Sequence, residues 1–166
     1  MATAPQDFRA PRPWVQVATL CQTALIENTG QLSVIRIIDR INLAGITPEL
    51  QPTPIQLTMA IVLKSDEMQG NWPVKVRCTS PQGVVTDGPE MPFLFEGNDR
   101  GVQVVLPMGL IASEQGVYWF DVLIEENTVL TRVPLRVIYQ RVQMPPGTVG
   151  GPVVPGTPPQ GPSPRQ

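Results

Sequence analysis

Residues Gly116 to Tyr139 read GVYWFDVLIEENTVLTRVPLRVIY, two apolar runs separated by the polar break Glu125-Glu126-Asn127-Thr128. In the first run Tyr118, Phe120, Val122 and Ile124 share one parity. In the second Val129, Val133, Leu135, Val137 and Tyr139 do. A period of two is what a half-buried strand requires, because successive side chains point to opposite faces. The stretch therefore reads as an antiparallel hairpin closing an all-β domain.

Working back from it, the same period recurs. Val102, Val104 and Leu106 alternate, with Pro107 to Gln115 read as a linking loop. Phe93-Leu94-Phe95 sits among Gly88, Pro89 and Pro92. Proline cannot donate to a ladder, so this strand belongs at an edge. Val74, Val76 and Cys78 precede the turn Ser80-Pro81-Gln82-Gly83. Ile55, Leu57, Met59, Ile61 and Leu63 form the most regular strand of the first half, and Ser65 to Asn71 a polar loop after it. Leu32 to Leu43 (LSVIRIIDRINL) is apolar on both parities. Helical spacing of Val34, Ile37, Ile38 and Ile41 competes there, but β-branched residues dominate and Gly30 supplies a turn, which favours one strand buried on both faces. The first strand runs from Trp14 to Ile26, with a break near Gln22. About eight short strands without a convincing helix predict a single antiparallel β-sandwich.

The chain ends divide from this body by composition. Residues 1–13 carry Pro5, Pro11 and Pro13 and read as a disordered lead; the sandwich is expected at 14–142. Residues 143–166 read as a disordered Pro/Gly-rich tail, with eight prolines and five glycines between 144 and 166. That composition cannot bury enough apolar surface to offset its ordering entropy. Within it Pro152-x-x-Pro155, Pro155-x-x-Pro158 and Pro159-x-x-Pro162 have the spacing of polyproline II ligands, although Arg165 falls one position from the usual basic site.

Composition excludes several functions. The net charge is −2, and ten arginines and two lysines are scattered without runs, so no basic footprint for nucleic acid exists. No apolar run approaches a membrane span or a signal-peptide core, so a cytoplasmic protein with free thiols at Cys21 and Cys78 is expected. There is no histidine, which removes the usual general base and the commonest metal ligand. Lys64 and Ser65 are adjacent and would point to opposite faces of a strand, which argues against a Ser-Lys dyad. Acidic pairs at Asp66-Glu67, Asp87/Glu90, Glu96/Asp99 and Glu125-Glu126 read as loop solvation; convergence of Asp66, Glu67 and Asp99 on Ca²⁺ is the competing reading, without ligand spacing to support it. Asp39, within an apolar strand, needs an arginine partner such as Arg36 or Arg40. No catalytic residue, cofactor or metal is expected.

Two aromatics are left as candidate partner contacts. Trp72 opens a strand beside Pro73, and Trp119 has the parity opposite to Tyr118 and Phe120. An open face would make Trp119 a contact; a covered one would make it core.

The hairpin, Leu20-Cys21 with Ala24, Gly30-x-Leu32-x-x-Ile35 with Asp39-Arg40-Ile41, and the Ser80–Gly83 turn together resemble a family of uncharacterised bacterial all-β domains of unknown function, of immunoglobulin-like type. The resemblance covers residues 17–138. It implies a small sandwich and no established activity. Where that family has an Asp-Gly type hairpin turn, this chain has Glu126-Asn127-Thr128. The functional expectation is a non-enzymatic module that binds an unknown protein partner; a structural component of a larger assembly, such as a phage-like or secreted particle, is the alternative.

Overall fold

The structure, a computed structural model, describes residues 12–98 and 100–143. Most of the expected lead and the tail from 144 onward lie outside the described residues. Among the described residues there are ten strands: β1 (Trp14–Ile26), β2 (Leu32–Ile37), β3 (Arg40–Gly45), β4 (Thr53–Lys64), β5 (Gln69–Thr79), β6 (Val85–Asp87), β7 (Met91–Glu96), β8 (Gly101–Ala112), β9 (Gly116–Ile124) and β10 (Thr128–Arg141). They form a four-stranded sheet in the order β2-β1-β4-β8 and a six-stranded sheet in the order β3-β10-β9-β5-β6, with β7 also on β5.

The core lies between the sheets. From the four-stranded sheet come Leu20, Leu57, Met59, Ile61, Leu63 and Val104; from the other, Val74, Val76, Tyr118, Phe120, Val122 and Leu135. All are buried. Each fully buried aliphatic or aromatic side chain contributes about 1.5–3 kcal/mol of transfer free energy, so these two rows dominate the fold's stability. The parity that defined the strands in sequence is thus the parity of the core.

The closing hairpin forms with a shift in register. β10 pairs with β9 from Thr128↔Ile124 to Val137↔Gly116, with a bulge between Val129 and Thr131. A bulge moves following side chains to the other face. Leu130 therefore joins the core cluster with Val133 and Leu135, while Val129, placed with the core by simple alternation, is exposed.

Two further expectations are corrected. Leu32–Leu43 is two strands in different sheets. β2 ends at Ile37, and β3 resumes at Arg40 as a parallel neighbour of β10, with Arg136 opposite Arg40. The chain switches sheets at Ile38-Asp39, where Ile38 N–H donates to Leu20 O at 2.8 Å and Arg136 N–H to Asp39 O at 3.0 Å. Apolar residues on both parities reflect this switch, and Ile35 and Ile37 are exposed. Asp39 does pair with Arg40, at 3.6 Å, as expected, but at the surface rather than inside a buried strand. Lastly, Pro107 does not end a strand: β8 pairs with β4 without interruption from Lys64↔Gly101 to Thr53↔Ala112.

β1 is continuous, but its far half bends. Cys21, Ala24 and Ala60 are buried together with Leu32, Val34 and Val105 against them. Gln103 on β8 donates to Gly30 O in the β1–β2 turn at 2.9 Å. β2 and β8 are opposite edges of one sheet. This bond therefore requires the β1–β2 hairpin to fold across the sheet's outer face, which makes a satellite core there.

Candidate functional site, an open cleft between the sheets

The sandwich has two flanks, and they differ. On one, the chain itself crosses from β2 to β3 and closes the gap. On the other, the flanking strands are β8 of one sheet and β6 and β7 of the other. β6 and β7 both pair with β5: Arg77–Thr79 with β6, and Gln69–Val74 with β7. In the constant-type immunoglobulin arrangement a strand would cover the edge that β8 occupies. Here that stretch of chain is drawn into the opposite sheet, and β8 has β4 as its one partner among the described residues.

Near Gly97–Arg100 the chain runs from β7 to β8 and closes that end; Arg100 O accepts from Ser65 N–H at 3.0 Å and from Ser65 Oγ at 3.0 Å. Towards the other end the sheets part and leave a cleft of about 610 Å³. Its floor is Val76, Cys78, Tyr118 and Phe120, and one wall is Leu106, Met108 and Leu110. Val76, Tyr118 and Phe120 are core residues, and Cys78, Leu106, Met108 and Leu110 pack against them partly buried, so the cleft opens beside the core rather than through it.

The rim is held by local hydrogen bonds. In the Ser80–Gly83 turn, Gly83 N–H donates to Ser80 O at 2.9 Å and Ser80 N–H to Val84 O at 2.9 Å. Gln82 N–H reaches Glu114 Oε1 at 3.3 Å, tying this turn to the β8–β9 loop, and Tyr118 Oη donates to Glu114 O at 3.1 Å. Gly88 N–H bonds Val76 O at 2.8 Å, and a Cβ at Gly88 would lie 2.9 Å from that oxygen, so only glycine lets the chain close here. On the rim, Asp87 takes two hydrogen bonds from Arg77, at 2.5 and 3.1 Å, which hold its carboxyl below the usual range. Burial pushes the Cys78 thiol up to about 11, far from a reactive thiolate at neutral pH.

The lip formed by β8 is chemically unusual. Its sequence, GVQVVLPMGLIA, carries no charged residue in twelve positions. Edge strands present unpaired N–H and C=O groups, and proteins usually blunt them with charges, prolines or covering loops. β8 has Pro107 and nothing else of that kind in its own sequence.

The sequence-designated tryptophans lie elsewhere. Trp72 falls within β5, packs against the core and donates Nε1–H to Gln69 O at 3.0 Å. Trp119 stands 37% exposed on the outer face of the six-stranded sheet. Arg132 stacks 5.5 Å from its ring centroid and gives two hydrogen bonds to Asp121, at 2.5 and 2.9 Å. Asp121 is 4% exposed, and this pairing satisfies a carboxylate that would otherwise be costly to bury. That face is further knitted by Lys75 with Glu90 at 3.2 Å. Neither tryptophan reaches the cleft. Cys21 and Cys78 are free thiols, one buried in the satellite core and one on the cleft floor. Among the described residues no group of three Asp, Glu or Cys could hold a metal ion.

Comparison with known proteins places the chain as follows. Several solved structures are similar at low identity. One is the CARDB domain of a Pyrococcus furiosus protein in complex with di-metal ions, 9% identical over 76% of this chain and 96% of that one, TM-score 0.39. Another is the Pseudomonas fluorescens alkylpurine DNA glycosylase AlkC bound to DNA containing an abasic site analog, 10% identical over 73% of this chain and 30% of that one, TM-score 0.39. A third is an immunoglobulin-like protein from Pseudomonas aeruginosa, 14% identical over 78% of this chain and 99% of that one, TM-score 0.37. No curated protein matches the sequence. Residues 16–138, nearly the whole sandwich, match one family across both sheets and the cleft. The chain belongs to that family, the Family of unknown function (DUF6941).

Proposed function

We propose that this protein is a non-enzymatic binding module that takes an extended, uncharged segment of a partner protein along the free edge of β8. Alternate side chains of that segment would enter the cleft. The observation that carries this reading is the coincidence of two features: an uncharged strand edge forms the lip of an apolar cleft. Strand addition uses both, since main-chain hydrogen bonds give affinity and pockets for alternate side chains give specificity. The cleft's volume, about 610 Å³, falls within the range of sites that bury a small ligand or a few side chains. From Leu106 to Ile111 the lip spans roughly 20 Å at ~3.3 Å per residue, enough for about six residues of ligand.

Several features speak against chemistry at this place. The chain lacks histidine, Cys78 is protonated at neutral pH, and the rim carboxylates Asp87 and Glu114 already accept hydrogen bonds. Two free thiols suit a reducing compartment, which supports a cytoplasmic location for the binding event.

The test is selection of a random peptide library on the intact protein and on Met108→Arg, which puts a charge into the cleft wall. Peptides with alternating apolar residues that bind the first and not the second are expected. Selected peptides that bind both equally would place recognition elsewhere and end this reading.

A further inference from the structure

The cleft carries an unpaired negative charge at one end, and that charge says something about the partner. We infer that the segment taken up along β8 runs antiparallel to it and carries a lysine or arginine just N-terminal to its apolar stretch, where the cation pairs with Glu114. This rests on the reading of the cleft as a segment-binding site, and adds the charge and the direction of what enters it.

Charge is the first reason. The charged residues that line the cleft are Asp87 and Glu114, with no lysine or arginine beside them. Asp87 is already taken: Arg77 gives it two hydrogen bonds, and Lys75 stands 3.8 Å away. Glu114 differs. Among the described residues no cation comes within ion-pair distance of it. Its carboxylate accepts one long hydrogen bond, from Gln82 N–H to Oε1 at 3.3 Å, although an ionised carboxylate offers about four acceptor positions. The second oxygen, Oε2, has no partner among the described residues and is not sealed off from outside. Glu114 is half-buried beside an apolar surface, where a cation is held more strongly than in open water.

Position is the second. Glu114 lies in residues 113–115, which join β8 to β9, just past the end of the lip. Its carbonyl accepts from Tyr118 Oη at 3.1 Å, and the Gln82 bond holds its side chain from the turn of the opposite sheet. The loop is fixed again where Gly116 meets Pro81, since a Cβ on Gly116 would lie 2.7 Å from Pro81 Cγ. The carboxylate is therefore set in place before a partner arrives, which lowers the ordering cost of using it.

Direction is the third. β8 runs towards Glu114, with Ile111 and Ala112 preceding it. The β1–β2, β1–β4 and β4–β8 ladders of this sheet are all antiparallel, and antiparallel pairing is slightly the more stable per residue. A segment that continues the pattern passes Glu114 first and then pairs from Ile111 back to Leu106. Its cation falls about two residues ahead of the one opposite Ile111, at ~3.3 Å per residue and with the reach of a long basic side chain. The stretch on the lip stays uncharged, and the basic residue sits just beyond it.

The test uses one apolar peptide selected on the intact protein and capped at both ends. It is made in three forms: lysine ahead of the apolar stretch, lysine after it, and alanine at both places. Each is titrated against the intact protein, Glu114→Gln, Asp87→Asn and Met108→Arg. Glutamine at 114 keeps an acceptor for Gln82 and removes the charge alone. The lysine-first form is expected to bind the intact protein about three- to fivefold more tightly than the alanine form. That advantage is expected to vanish in Glu114→Gln and at about 1 M salt, where the Debye length is ~3 Å, and to persist in Asp87→Asn. No advantage, or one that survives Glu114→Gln, overturns the inference. Loss of the advantage in Asp87→Asn, or an equal or larger advantage for the lysine-last form, overturns it too. If the alanine form binds the intact protein but not Met108→Arg, and lysine adds nothing, the cleft reading stands and this inference fails. If the alanine form binds both alike, both fail.

Discussion

The two flanks of the sandwich solve the same problem in different ways. Both must deal with the gap where two sheets end side by side. At one flank the chain passes from β2 to β3 through Ile38 and Asp39, and hydrogen bonds to Leu20 and from Arg136 stitch that crossing to each sheet. The gap is closed by covalent continuity. At the other, β6 and β7 are both committed to β5, and β8 is left with core-like side chains facing an open cleft. A sandwich can leave one flank unfinished provided the rest of the core is sufficient. On the proposed reading, the unfinished flank is where a segment of a partner would complete the fold.

Substitutions at the two flanks should therefore differ in cost. Leu20, fully buried beneath the crossing, should lose about 2–5 kcal/mol on truncation to alanine, measured by urea denaturation. Gly45, at the end of the closed flank, has Tyr139 Oη 2.5 Å from where a Cβ would sit, and that hydroxyl donates to Thr47 O at 2.8 Å. Gly45→Val should cost about 1–3 kcal/mol as Tyr139 is displaced. On the open flank Met108→Ala should cost about 1–2 kcal/mol, less than Leu20, because the side chain is only partly buried against the core. A Met108 cost as large as that of Leu20 would mean the flank is closed in solution, and would break the contrast.

The smallest effect concerns the rim. Arg77 holds the Asp87 carboxyl below its ordinary value of 3.8. A lowered folded-state value means the stabilisation is complete above pH 3.8 and lost as pH falls through the lower folded value. Asp87→Asn should flatten that part of the acid limb in a pH series of melting temperatures. Because the pair is exposed, the change should be slight, and peptide binding at the cleft should persist.

Much of this fold is legible in the sequence. Alternation in β4 and in the closing hairpin places Leu57, Met59, Ile61, Tyr118 and Phe120 in the core correctly. The Ser80–Gly83 turn and the edge position of β7 are legible too, because proline and glycine act locally. Two places are not. Leu32–Leu43 reads as one buried strand because a chain that switches sheets is apolar on one parity before the switch and on the other after it. Pro107–Gln115 reads as a loop because proline removes a donor, and sequence cannot tell that the other edge of β8 has no ladder to feed. That second misreading hides the candidate site, since Met108 and Leu110 are then loop residues without a wall to belong to. The tryptophans draw attention instead: Trp119 stands exposed on the outer face beside Arg132, and Trp72 packs partly buried against the core, both away from the cleft. Buried Asp121 is silent in sequence as well, because its partner Arg132 lies across a hairpin with a bulge.

The most direct test is nuclear magnetic resonance of the protein with a peptide selected on its cleft, read by backbone contacts between the two. Strand addition predicts intermolecular backbone contacts along Leu106–Ile111 on β8, with peptide side chains touching Tyr118 and Phe120 and β2 and β3 unperturbed. Contacts that gather instead around Trp119 and Arg132 on the outer face, or at the β2–β3 crossing, would contradict the account.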